Sequence, residues 1–178
     1  MFYSQGVALV LGCILLGGAL PAWSEDRAVL ENLALAAKAP RRVFLFDLYT
    51  CSIYLEDIRT MNANLSDQEG AIIRLDVHGK PPKQLPKHWE ALLDAELSDN
   101  LFREVMRHYR YLKEGDVVWV KYVPGEGTSV MLNDIELFVD PGPDLTRALL
   151  AQWVGEEPVS EEFKRELLAS FDATGQGR

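Results

Sequence analysis

Cysteine is nearly absent, with Cys13 and Cys51 the two in 178 residues. Cys13 lies inside an apolar N-terminal stretch, and once that stretch is removed Cys51 stands alone, which excludes an intramolecular disulfide framework. In its apolar, strand-like context Cys51 reads as a small buried hydrophobe rather than a reactive thiol. Histidine is as scarce: His78, His88 and His108 are the three present, none has a second His or Cys at ligand spacing, and a metal centre is not expected. All three are expected at the surface. The glycines form no GxGxxG, GxxxxGK[ST] or GxSxG arrangement, which removes the dinucleotide fingerprint, the P-loop and the nucleophile elbow, so no cofactor is expected. Residues 124–129, PGEGTS, join two strands and open no helix, and read as a hairpin turn rather than a phosphate cradle. Positive charge is in deficit, 18 Lys and Arg against 27 Asp and Glu for a net −9. Phosphate backbones and anionic membrane surfaces repel such a chain, so nucleic acid is not an expected partner.

Charge is missing altogether from the first 24 residues. A 14-residue apolar run spans Val7 to Leu20, then Pro21 breaks it and Ala22 and Ser24 supply small residues. A spanning helix takes about 20 apolar residues, and this run is shorter and interrupted by Gly12, Gly17 and Gly18. It reads as an export signal cleaved after Ser24, with a retained anchor as the alternative. The chain is then expected in the periplasm or outside the cell, with residues 1–24 as signal peptide and 25–178 as one domain. The 154 residues that remain, 178 − 24, are enough for a single core, since a chain of that size buries about 70% of its unfolded surface.

Beyond the signal, Val29 to Ala37 reads as a strand, and Pro40 punctuates. Arg41 to Ile58, RRVFLFDLYTCSIYLEDI, is rich in β-branched and aromatic residues without Gly or Pro, and reads as one long strand or two joined by a bend. Residues 59–70 are polar and read as a surface loop. Ala71 to His78 alternates Ile73, Leu75 and Val77 against Arg74, Asp76 and His78, the period of a half-buried strand. Helices follow over PKHWEALLDAEL and, capped by Ser98 or Asp99, over the segment carrying Leu101, Phe102, Val105, Met106 and Tyr109. Three strands come next: DVVWVKYV, then TSVMLND and IELFVD with Asn133-Asp134 between them. Pro143 is expected at the first position of a helix whose Leu145, Leu149, Leu150 and Trp153 share a face, with Gly155 as a left-handed stop. Ser160 caps a last helix bearing Phe163, Leu167 and Leu168, and the tail from Asp172 reads as frayed. Strands in runs and helices in pairs, without βαβα alternation, give an α+β fold in one domain.

Two groups of side chains invite a functional reading. Arg103, Arg107 and Arg110 recur at helical spacing with Lys113 nearby; a solvated face paired to carboxylates is the favoured account, an anion site the alternative. Trp89, Trp119 and Trp153 occupy apolar-periodic positions and read as core rather than as a ligand cage.

The order of RRVFLFDLYTCSIYLED, a strand and two helices, GDVVWVKYVPGEGTSVMLND and DLTRALLAQWVGEEPVSEEFKRELL resembles the chalcone isomerase-like family, especially its exported bacterial members. The most specific segments are Tyr54-Leu55-Glu56, the hairpin from Gly115 to Gly127, and Trp153-x-Gly-x-x-Pro-Val159. The resemblance implies an open-faced β-sandwich, a large antiparallel sheet covered on one face by helices with a ligand cleft between. Relatives include isomerases that close a flavanone ring and fatty-acid-binding proteins that do no chemistry. Aligning the segments puts Tyr49 where isomerases carry a ketone-polarising threonine, and Thr146 at their Ser/Thr substrate contact. Lys38, Arg41 or Arg42 stands where an arginine binds the anionic group of the ligand. Lys87 and His88 are the only polar residues of the right kind where the isomerases carry Tyr, Lys and Asn. The expected ligand-binding set is therefore Arg41, Arg42, Tyr49 and Thr146, under an apolar lining that includes Phe44, Phe46, Leu48 and Ile53, with no catalytic residue assigned. The implied function is non-catalytic binding of a fatty acid or similar small amphiphilic acid. An intramolecular lyase or isomerase, and an envelope structural or partner-binding protein, are the alternatives.

Overall fold

Six strands and four helices follow one another in the computed structural model, which describes residues 33–43, 46–57 and 70–176. The expectations for the export signal, the strand start at Val29, Phe44 and the polar loop after Arg59 lie outside the described residues, as does the side chain of His88. Strands β1 (Ala34–Val43), β2 (Phe46–Leu55) and β3 (Ile72–Val77) lead into helices α1 (Lys87–Glu96) and α2 (Asp99–Tyr109). Then come β4 (Val117–Val123), β5 (Gly127–Leu132) and β6 (Ile135–Asp140), followed by α3 (Asp144–Val154) and α4 (Glu161–Gln176). The strands form one antiparallel sheet in chain order, β1 to β6. This is the α+β architecture that the order of strands and helices implies.

Alternation along the strands decides which face is covered. Ile53, Ile73 and Val120 stand side by side across β2, β3 and β4, and Cys51, Leu75 and Val118 form the next row. Side chains two apart point to the same face, and this face packs on Leu93 and Leu97 of α1, Leu101 of α2, Leu150 and Trp153 of α3, and Phe163, Leu167 and Phe171 of α4. Cys51 is fully buried there, and burial pushes its thiol above the ordinary value. The other face of the sheet carries polar pairs. Arg74 Nη2 lies 2.7 Å from Asp76 Oδ1, its guanidinium sits 5.1 Å from the centre of the Trp119 ring, and Thr50 Oγ1 is 2.7 Å from His78 Nε2.

Local chemistry fixes the ends of the elements. Ser98 Oγ accepts from the Leu101 amide at 3.4 Å and Ser160 Oγ from the Phe163 amide at 3.2 Å, each supplying a partner to a free donor of a first helical turn. Asn133 and Asp134 both adopt positive φ, 49° and 67°, which a two-residue hairpin turn between β5 and β6 requires.

Four details differ from the sequence reading. The division between the first two strands falls after Val43, so Pro40, Arg41 and Arg42 belong to β1. Proline is tolerated within β1 because that strand is at the edge of the sheet, where an amide donor is not required on the outer side. Pro143 is the residue preceding the first turn of α3 rather than its first helical residue. Gly155 ends α3 in an extended conformation, φ −68° and ψ −170°, not a left-handed one. Glycine is needed there for space, since a Cβ would lie 2.2 Å from the Ala151 carbonyl oxygen. Finally, α4 continues through Gln176 instead of fraying at Asp172, with Phe171 buried and the Thr174 hydroxyl donating to the Ser170 carbonyl at 3.1 Å.

Candidate functional site

Sheet and helices leave a gap of about 180 Å³ between them. Its floor is the helix-facing side of the sheet, including Tyr49, Leu75, Val77, Val118, Val120, Val130 and Phe138. Its walls are Trp89 and Leu93 from α1, Val105 and Tyr109 from α2, and Leu145, Leu149, Gln152 and Trp153 from α3. These are the apolar stripes of amphipathic helices, and the space they enclose is greasy with a few polar groups, the usual make-up of a small-molecule site.

The polar groups gather around Tyr49. This residue stands opposite Arg41 on β1 and Val77 on β3, with the edge of the Phe163 ring 6.0 Å away. Burial holds its hydroxyl well above the ordinary phenol value, against the opposing pull of the Arg41 charge and of a hydrogen bond with the Trp153 indole. Burial also raises Tyr109, whose hydroxyl is near enough to influence that of Tyr49. The Arg41 guanidinium carbon lies 5.5 Å from the centre of the Trp89 ring, a cation–π contact. Its Nη1 donates to the Arg42 carbonyl oxygen, while its Nε is buried and has no hydrogen-bond partner among the described residues. Gln152, on the last turn of α3, is 7% exposed, and its Nε2 is likewise buried without a partner among the described residues.

The residues singled out from the sequence divide. Tyr49 lines the cavity, and Arg41 lies against Trp89, which also lines it. Arg42 is turned elsewhere by a bulge: Arg41 pairs with Tyr49 but Arg42 with Asp47, skipping Leu48. There it bonds Asp47 at 3.1 Å and Glu166 of α4 at 2.7 Å, and the Glu166 carboxylate raises the guanidinium above its ordinary value. Thr146 is buried on α3, with its hydroxyl unpartnered among the described residues, but is not one of the cavity-lining side chains. Lys38 belongs to the polar face, in a hollow with Thr50, Ser52, Tyr54, Arg74, Asp76 and His78. Lys87 is exposed. Of the expected lining, Leu48 faces the cavity, Ile53 is fully buried in the core, and Phe46 is 77% exposed because it begins β2 beyond the helices.

Four cavity residues escape the sequence reading. His108 is not simply a surface residue: it lines the cavity and stacks on Phe138 at 5.7 Å between ring centres. Trp153 is core and cavity wall together, whereas Trp89, expected as core, is half-buried and lines the cavity. Gln152 has a legible signal, because Leu145, Leu149 and Gln152 fall at i, i+4 and i+7, one face of a helix. The arginine stripe of α2 matches the solvated account at Arg107, which is exposed and bonds Glu104 at 2.5 Å.

Residues 25–169 match the family model described as chalcone isomerase-like. The fold is also similar to that in the crystal structure of a fatty-acid binding protein from Arabidopsis thaliana, at a TM-score of 0.57 and 16% identity, covering 82% of this chain and 91% of that one. At that identity the likeness is one of fold. No curated protein matches the chain in sequence.

Proposed function

The chain belongs to the chalcone isomerase-like family, and from that premise we propose that it is an exported, non-catalytic protein holding a fatty acid or similar small amphiphilic acid between its sheet and helices. The observation that carries this reading is the asymmetry of the cavity. Most of its lining is hydrocarbon, while at Tyr49 a buried hydroxyl lies within the field of Arg41, which is not itself a lining residue but rests against the lining ring of Trp89. An amphiphilic acid has the same asymmetry. Its tail gains about 0.8 kcal/mol per methylene removed from water, and its carboxylate tolerates burial only with a cation or donors beside it. Arg41 supplies the charge and Tyr49 a hydroxyl. The likeness of fold to a plant fatty-acid binding protein supports the same class of ligand.

Size limits what is enclosed. The gap of about 180 Å³ is close to the roughly 150 Å³ cavity that admits benzene and below the roughly 300–1,000 Å³ of drug-sized sites. A ring or a short to medium chain fits within it, and a longer tail would extend beyond. Export rests on the uncharged apolar segment before Glu25.

Native mass spectrometry of gently purified protein, followed by calorimetric titration with octanoate, decanoate and palmitate, tests the proposal. It predicts a chain mass lacking the first 24 residues, a carried acid or a vacant site that binds decanoate, and a negative heat-capacity change from apolar burial. No carried lipid and no heat of binding at high micromolar acid would overturn the ligand reading; a mass that includes Met1 to Ser24 would overturn the cleavage.

A further inference from the structure

Gln152 stands apart from the other cavity side chains. It is 7% exposed, lines an otherwise greasy wall, and its amide nitrogen has no hydrogen-bond partner among the described residues. Buried polar atoms are satisfied in the large majority of cases, and an unmade bond costs the full desolvation of the group. Its direction is set by the helix. Leu149 and Leu145, one and two turns earlier on the same stripe, line the same cavity, so the amide faces the gap rather than solvent.

The position along α3 says which end of the cavity the amide occupies. Trp153, the next residue, hydrogen-bonds the Tyr49 hydroxyl, and both rings pack edge-on against Phe163, at 6.1 Å for Trp153 and 6.0 Å for Tyr49. Gln152 therefore belongs to the polar end. Arg41 Nε, beside Tyr49, and Gln152 Nε2, each without a hydrogen-bond partner among the described residues, are both donors, and what they lack is an acceptor. A carboxylate is acceptor-only, with about four lone-pair sites. An alcohol brings a proton of its own, and an ammonium offers donors alone.

The geometry points to Gln152 as a specificity-determining residue: its amide donates to the headgroup of the bound ligand and sets a preference for a carboxylate over the alcohol of the same chain. This rests on the acid-binding reading of the cavity and extends it to a residue of α3. Decanoate and decanol, titrated into the purified protein and its variants, separate the two. Gln152→Met keeps length and removes the donors. It is expected to weaken decanoate about tenfold, the equivalent of roughly 1.4 kcal/mol, to leave decanol within about twofold on the same scale, and not to lower the thermal midpoint of the unligated protein. Gln152→Glu, which sets a carboxylate against a carboxylate, is expected to weaken decanoate further. In the unaltered protein, the Gln152 side-chain amide signals, identified by their loss in Q152M, should move on adding decanoate and stay in place with decanol. Unchanged decanoate affinity in Q152M, or amide signals that ignore decanoate, overturns the assignment while leaving the acid-binding reading intact. If the unaltered protein binds no decanoate, both fall.

Discussion

Two neighbouring arginines with different fates show how little residue type settles at this scale. Arg41 and Arg42 are equivalent candidates in the sequence, and a single register shift separates them, leaving one on Trp89 and the other among the carboxylates of Asp47 and Glu166. Tyr49 and Cys51, two apart on β2 and both raised by burial, make a further prediction. The unfolded chain releases the thiol proton near pH 8.5 and the phenol proton near about pH 10, while the folded chain still holds both. Above those values the unfolded state binds fewer protons, so stability falls as pH rises, having been fully present below them. Urea midpoints should be level around neutrality and decline from about pH 9 upward, with a shallower decline in both Cys51→Ala and Tyr49→Phe. An alkaline limb as steep in the two variants as in the parent would contradict the placement of these side chains. Tyr49 stands out from the order of motifs; Gln152 escapes the reading although its spacing from Leu145 and Leu149 carries the signal, because a glutamine on an amphipathic helix reads as solvent-facing until that spacing is weighed.

At the scale of elements, periodicity located most of the fold and failed where space or edge position decided. The alternation of Ile73, Leu75 and Val77 and the caps at Ser98 and Ser160 give β3, α2 and α4 directly from sequence. The break between β1 and β2 was misplaced because proline normally ends a strand, and only the edge position of β1 makes Pro40 acceptable within it. Gly155 was expected for its conformational freedom but is required for its missing side chain, since its φ of −68° is open to any residue. Gly155→Ala should therefore destabilise by about 2 kcal/mol through overpacking against the Ala151 carbonyl. That would lower the thermal midpoint by roughly 4–8 °C in a chain of this length. An unchanged midpoint would show that α3 ends without the close approach described, and with it would go the firm placement of Trp153 and Gln152, two and three residues upstream.

For the whole molecule, one sheet face packed by four helices explains both the core and the gap. The gap persists where the stripes of α1, α2 and α3 stand off from β2 to β6, while α4 presses closely on β1. Against a net charge of −9, Arg41 is a local positive charge beside the cavity wall at Trp89. The central claim is that the ligand's carboxylate sits there, and carbon-13 NMR of carboxyl-labelled decanoate bound to the protein tests it most directly. The account predicts a distinct bound carboxyl signal that stays ionised to lower pH than the free acid, because Arg41 and the donors around it favour the charged form more than apolar burial opposes it. The absence of a bound signal, or a midpoint shifted above that of free decanoate, would contradict it.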